Sequence, residues 1–395
     1  MSALNKLTTK NGMIVLMRWQ IIISSFLLCL CSLTIETKAQ NSIIEVCPSP
    51  AIQARSGEFE PSGIILTSFD SASIWVYDIG RDTRYPLPET RPCTSNCHLS
   101  LDAEWFIYLD PLTFTFGKMR LDGTQRTSLV SSAADVRWWN TDTLLIWTTD
   151  QSAYLRPEND SASEPEFLFS DGVVSIQPNG RYALRVSGAN GEFNRYLVNL
   201  ENPEESPVLL SIDRTYFNAS HWSSTGQYLA YVGEATIDNS IGIAGGEVFV
   251  IDPMNPIPRQ LTHLTEVYGA VRINGYAPND LSWSPDGTQI AFWVLDLTSA
   301  NPSEATGSAM LHSVDVATGE VRRYCGFEAT EHTPETPRII WSPDSSHIAF
   351  AGNVPADDKG ALLLAMSLET GVFTELSNGM FPVYGIPQLN AWGTP

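Results

Sequence analysis

The segment "LSWSPDGTQIAFW" at residues 281–293 constrains the chain more than any other, because the chain says it again. "IIWSPDSSHIAFAG" (339–352) and "SHWSSTGQYLAYVG" (220–233) are close copies. "LSLDAEWFIYL" (99–109), "VRWWNTDTLLIW" (136–147) and "VSIQPNGRYALRV" (174–186) are looser ones. Trp222, Trp283 and Trp341 share one column, and Asp102, Asn179, Thr225, Asp286 and Asp344 share the turn column. Successive turns lie roughly 40–60 residues apart, the spacing of one supersecondary unit with loop insertions. Such a unit cannot bury its apolar faces alone, so its copies must stack.

The residues of one copy dictate its shape. Leu281 and Trp283 alternate with polar neighbours, as in a half-buried strand. Pro285 presets φ, Asp286 can bond its own turn backbone, and Gly287 accepts positive φ. "IAFW" (290–293) returns as a strand apolar on both faces, followed by "MLHSVDV" (310–316), a tight "ATGE" turn (317–320) and "VRRYCGF" (321–327). Four antiparallel strands make one propeller blade, packed on both faces by its neighbours. No convincing helical periodicity occurs beyond residue 39. The expected fold is an all-β propeller of four-stranded antiparallel blades over residues 61–395.

Counting the blades depends on the ends. "IILTSFD" near 63–69, "SIWVYDI" (73–79) and "TRYPLP" (83–88) supply three strands with no anchor before them. "PQLNAWGTP" (387–395) supplies an anchor, Trp392, with no strands after it. The C-terminal strand is therefore expected to join the first blade and close a ring of seven. If "VRWWNTDTLLIW" is no anchor, the count is six.

The "WSPDG…IAF" pattern resembles the TolB-type β-propeller repeat, also called the WD-like PD repeat. The resemblance spans about residues 60–395 and is tightest around Trp283 and Trp341. It implies an extracytoplasmic protein that acts as a protein-binding platform, or a propeller domain attached to a hydrolase. The repeat is structural and brings no catalytic residues with it. The carboxylates of Asp286 and Asp344 are accounted for by their turns.

Residues 1–39 read as a secretory signal. Lys6, Lys10 and Arg18 precede the apolar run "WQIIISSFLLCLCSLTI" (19–35), and Thr37 and Ala39 stand at −3 and −1 of a cleavage site before Gln40. The alternative is an uncleaved anchor, but the run is short for the roughly 20 residues of a spanning helix. Residues 40–60 follow as an N-terminal tail. A secreted or periplasmic location is expected, with no membrane span after cleavage. The signal holds Lys6, Lys10, Arg18 and Lys38 against Glu36, so its removal takes the formal charge from −21 to −24. That balance disfavours nucleic acid and anionic lipid and favours cationic groups and divalent metals. Four cysteines remain, which suggests two disulfides in three possible connectivities. "CTSNCH" points to a local Cys93–Cys97 bridge, leaving Cys47 with Cys325.

In a blade, the turns between first and second strands and between third and fourth share one face. Here nearly all of those are tight. The other face collects the long segments 233–247, 263–280, 295–309, 326–337 and 352–361. Binding residues concentrate on loops held by a rigid scaffold. The candidate binding residues are Tyr268, Tyr276, Trp293, Asp296, Phe327, Glu328, His332 and Asp357, over blades five to seven. Aromatic rings with a few polar groups suit a protein or an extracellular polymer. Carboxylates there could hold calcium, but no calcium-loop spacing occurs, and no cofactor or metal site is expected. No Gly-x-Ser-x-Gly elbow, His-Glu-x-x-His or phosphate-binding glycine loop is present, so no catalytic residue is assigned. The expected function is a binding module. The alternatives are a glycan hydrolase or lyase with carboxylates at the channel mouth, and a structural spacer at the cell surface.

Overall fold

In the computed structural model the described residues are 43–47, 51–56, 59–68, 73–88, 90, 97–110, 112–170, 173–178, 180–214, 219–234, 245–269, 271–273, 281–296, 309–325, 338–353, 361–377 and 388–393. They form seven sheets, each with a four-stranded antiparallel blade. Blade 1 sets Gln388–Gly393 beside Ile64–Ser68, Trp75–Asp78 and Thr83–Pro86. Blade 2 is His98–Leu99, Trp105–Asp110, Thr115–Arg120 and Thr127–Ser131, and blade 3 is Ala133–Trp138, Thr143–Thr148, Ala153–Pro157 and Glu166–Phe169. Blade 4 is Val173–Ile176, Tyr182–Ala189, Glu192–Asn199 and Val208–Asp213. Blade 5 is Ser220–Trp222, Leu229–Glu234, Gly246–Asp252 and Asn255–Gln260. Blade 6 is Ser282–Trp283, Gln289–Asp296, Ala309–Asp315 and Val321–Tyr324, and blade 7 is Ile340–Trp341, His347–Asn353, Ala361–Ser367 and Phe373–Glu375.

Ring closure follows the sequence expectation. Ile65 pairs with Trp392 and Leu66 with Ala391, so the C-terminal strand completes the first blade. The Trp392 indole Nε1 donates to the Ser62 carbonyl at 2.9 Å. Gly63 holds φ at +115°, and a Cβ there would collide with the Gly393 carbonyl. Only glycine meets both demands cheaply. Except between blades 3 and 4, the first strands of neighbouring blades touch one another around the ring, which makes them its inner wall. The junction between blades 3 and 4 is the loosest of the seven.

The repeated turn works as its residues require. In blade 6 the Ser284 hydroxyl donates to Asp286 at 2.6 Å, and Asp286 also accepts from the Thr288 N–H at 3.1 Å. Ser342 and Asp344 reproduce this in blade 7, and Ser100 and Asp102 in blade 2. The turn carboxylates are thus consumed by the backbone they organise.

Tryptophans of the repeat staple inner strands together. Trp283 donates its indole N–H to the His221 carbonyl of blade 5 at 2.8 Å. Trp341 donates to the Ser282 carbonyl of blade 6 at the same distance. Trp222, in the same column, is buried, yet its Nε1 finds no acceptor among the described residues.

Two arrangements add to the sequence reading. The segment read as a tail supplies extra edge strands. Ile44–Val46 runs parallel to Val321–Tyr324 on blade 6, and Gln53–Ala54 runs parallel to Phe373–Glu375 on blade 7. The Cys47–Cys325 disulfide pins the first of these. Residues 263–280, read as one loop, contain a short helix, Leu264–Tyr268, and a strand, Val271–Ile273, that pairs with the end of Gln289–Asp296. Buried Glu247 accepts from the backbone N–H groups of Leu264 and Thr265 and from the Thr262 and Thr265 hydroxyls. A carboxylate at the positive end of the helix fixes where it starts.

Packing is uneven around the ring. The blade 6–7 interface buries Trp293, Tyr324, Trp341, Phe350, Met366 and Phe373 in one cluster. Truncating a ring such as Trp293 to alanine there costs about 3–5 kcal/mol. At the blade 3–4 interface, Leu145, Ala153 and Phe169 are the fully buried members of the cluster among the described residues.

Candidate functional site

The loosest junction carries the site. A cavity of about 500 Å3 lies along the inner strands of blades 3, 4 and 5. This falls within the roughly 300–1,000 Å3 of ligand pockets. Asp135, Arg137, Ser175, Ser220 and His221 supply its polar wall. Trp138, Trp139, Trp147, Trp222, Ile176 and Pro178 supply flat apolar surface.

The strand period explains who faces where. Val136 is fully buried on the blade 2 side of the strand Ala133–Trp138, so Asp135 and Arg137 fall on the opposite face. Asp135 is the electrostatic hub. Its carboxylate accepts from His98 Nε2 at 2.9 Å, from the Val136 N–H at 2.9 Å and from Arg137 Nε at 2.5 Å. Burial acts to raise its pKa, but His98 and Arg137 outweigh it and bring it down to about 2. Burial lowers the His98 pKa despite Asp135, so a neutral imidazole donates Nε2–H to an acceptor-only carboxylate. His221 Nδ1 lies 2.9 Å from the Leu281 carbonyl and must carry the proton. Burial, with repulsion from Arg338 and Arg137, holds its pKa down at about 4.

Arg338, just before the inner strand of blade 7, joins this group. It is accessible on its surface, yet burial and then repulsion from Arg137 bring its pKa down to about 10, against attraction from Asp135. Two guanidiniums, one carboxylate and two neutral imidazoles therefore share the channel among the described residues. Two further ion pairs are buried away from the cavity, Arg195 with Asp213 and Lys118 with Glu158.

Among the described residues, neither Tyr268 nor Trp293, both singled out from sequence, lines this cavity. Trp293 is corrected from a surface candidate to a core residue. It is 1 % exposed and meets Phe350 edge to face, because a mid-blade strand is packed on both sides. Tyr268 is half-buried, and its hydroxyl lies 3.0 Å from His312 Nε2. Asp296 ends its strand, and its side chain is not among those described. Tyr276, Phe327, Glu328, His332 and Asp357 lie outside the described residues. The Cys47–Cys325 bridge is present, and Cys97 is disulfide-bonded, while Cys93 lies outside the described residues. Among the described residues no group of three or more His, Cys, Asp and Glu could hold a metal ion, and no helix is long and apolar enough to cross a membrane.

The channel group had one sequence signal. Inner strands of the strong repeats read "LSWS" or "IIWS", whereas blade 3 reads "DVRWW", with two charges where an inner strand faces the axis.

The chain is thus a seven-bladed β-propeller closed by its C-terminal strand. No family model and no curated protein sequence matches it. Solved structures share its fold. A puromycin hydrolase superposes with a TM-score of 0.52 at 13% identity, over 84% of this chain and 56% of that one. An oligogalacturonate lyase from Vibrio parahaemolyticus gives 0.50 at 9% identity, over 80% and 86%. TolB from Acinetobacter baumannii gives 0.41 at 15% identity, over 91% and 89%. The ring and its repeat agree with a propeller of TolB type.

Proposed function

We propose that this chain is an extracytoplasmic binding module that receives a segment of an exposed polymer in its central channel. The observation that supports this reading most is the cavity at the blade 3–4 junction, with rings and hydrogen-bond donors on a rigid wall. The disulfides fit a compartment that does not reduce them. The long segments over blades 5–7, largely outside the described residues, are a second place where contacts would be added. Hydrolysis of a glycosidic bond calls for two carboxyls roughly 5–9.5 Å apart, one of them able to hold a proton. Asp135, the carboxylate of the channel group, stays ionised down to about pH 2 and is held by His98 and Arg137.

The test is capture of polymer from the native envelope or medium by immobilised protein. Ser175→Trp, which fills the cavity, should abolish capture while the β-sheet circular dichroism persists. Shortening 295–309 and 326–337 should weaken capture without abolishing it. Full capture by Ser175→Trp overturns the channel reading.

A further inference from the structure

From the cavity wall we infer that the channel site takes a short acidic saccharide, bearing one or two carboxylates between neutral, hydroxyl-rich rings. This deepens the binding-module reading and rests on it. Three observations converge on that chemistry. The half-buried rings of Trp139 and Trp147 offer flat apolar faces, which suit the C–H faces of sugar rings as they suit other amphipathic surfaces. Arg137 stands beside them with a planar fork of donors, the geometry that matches a carboxylate. Ser175 and Ser220 add hydroxyls that can both donate and accept, as a polyhydroxylated ligand requires.

The size and the charge set further limits. A cavity of about 500 Å3 has room for two or three sugar rings and not for a folded domain. The chain carries −21 overall, so a densely charged polyanion is repelled before it arrives. A ligand with few, spaced carboxylates meets that repulsion weakly and finds the Arg137 guanidinium on the cavity wall. A lone inorganic anion would leave the aromatic wall unused.

The decisive comparison uses a linear tri-uronic acid and the same trisaccharide with its carboxyl groups reduced to hydroxymethyls. Binding to the full-length protein is followed by quenching of tryptophan fluorescence and by calorimetry. The tri-uronic acid should bind at least tenfold more tightly than the reduced trisaccharide. Arg137→Gln should bring the acid down to the affinity of the reduced sugar and leave the latter unchanged. Trp139→Ala should weaken both by roughly the same factor. Equal affinity for the two sugars overturns the carboxylate assignment while leaving the binding module standing. Binding of sodium sulfate as tight as that of the tri-uronic acid reduces the site to a simple anion hole and overturns the saccharide. Saturable binding of a peptide with a free C-terminus, with neither sugar bound, overturns it in favour of a protein partner. Should Arg137→Gln not fold, the two sugars on the unaltered protein decide the matter alone.

Discussion

Blades 6 and 7 and blades 3 and 4 are built from the same repeat to different ends. In the first pair the Trp283 and Trp341 staples are made, the interface is filled with large rings, and both outer edges are covered by N-terminal strands. In the second pair the motif is eroded and the shared core is thin. The inner strands there stand apart, and a cavity opens where the staple would close the wall. Trp222 marks the border, since it keeps the ring of the staple but has lost the acceptor. The difference teaches that a structural repeat tells most about function where it fails. Full copies close the wall, and imperfect ones leave room.

The contrast can be broken by experiment, and the largest expected effect is on the covered side. The Cys47–Cys325 bridge spans a separation of 278 residues. In the chain-entropy model, closing so long a loop removes roughly 5 kcal/mol of unfolded-state freedom. The double variant Cys47→Ala, Cys325→Ala should therefore melt about 5 °C or more below the parent by calorimetry. Ligand binding at the blade 3–4 cavity should be unchanged. An unshifted melting point would mean that the strap contributes nothing beyond its strand pairing.

Acid should loosen the covered side next. His312 is fully buried, stacked on Phe292, with its rings' polar atoms taken by Tyr268 and the Met310 carbonyl, and it faces the Arg323 charge. Burial first, then Arg323, brings its pKa from 6.5 to about 4. As pH falls below 6.5 the unfolded chain takes up a proton that the folded chain refuses, so stability drops across the window from about 6.5 to 4. The loss approaches about 3 kcal/mol at its lower end. His221 acts with the same sign. Denaturant midpoints at pH 7 and pH 4.5 should differ strongly in the parent and less in His312→Gln. An equal difference in both would remove His312 as the cause.

The smallest effect is the sharpest on the comparison itself. Trp283→Phe deletes the bond from the indole N–H to the His221 carbonyl, whereas the Trp222 indole has no acceptor among the described residues to lose. The first should cost about 1–2 kcal/mol more than the second in chemical denaturation. Equal costs would dissolve the staple.

Much of the fold was legible because it is local chemistry written several times. Pro285, Asp286 and Gly287 announce a turn, the flanking apolar runs announce strands, and Trp392 lacking followers matches strands lacking an anchor. The channel group was not legible in the same way. His98, the pair Asp135 and Arg137, His221 and Arg338 come from four separate stretches of sequence and are brought together because inner strands converge on one axis. Trp293 misled for the reason that a both-faced apolar strand offers no aromatic to solvent, although it borders a long loop. The short helix Leu264–Tyr268 escaped notice because five residues carry too little periodicity, and its start is fixed by Glu247 from a neighbouring strand.

The strap has a consequence for how a molecule comes to be finished. Its strands leave the ribosome among the first of the ring, yet each must wait for a partner near the far end, as the inner strand of blade 1 must also. A chain stopped short would keep several complete blades and still lack every fastening that joins start to finish. Completeness is thereby tested by the topology itself, and an interrupted product offers proteases an open circle in place of a locked one.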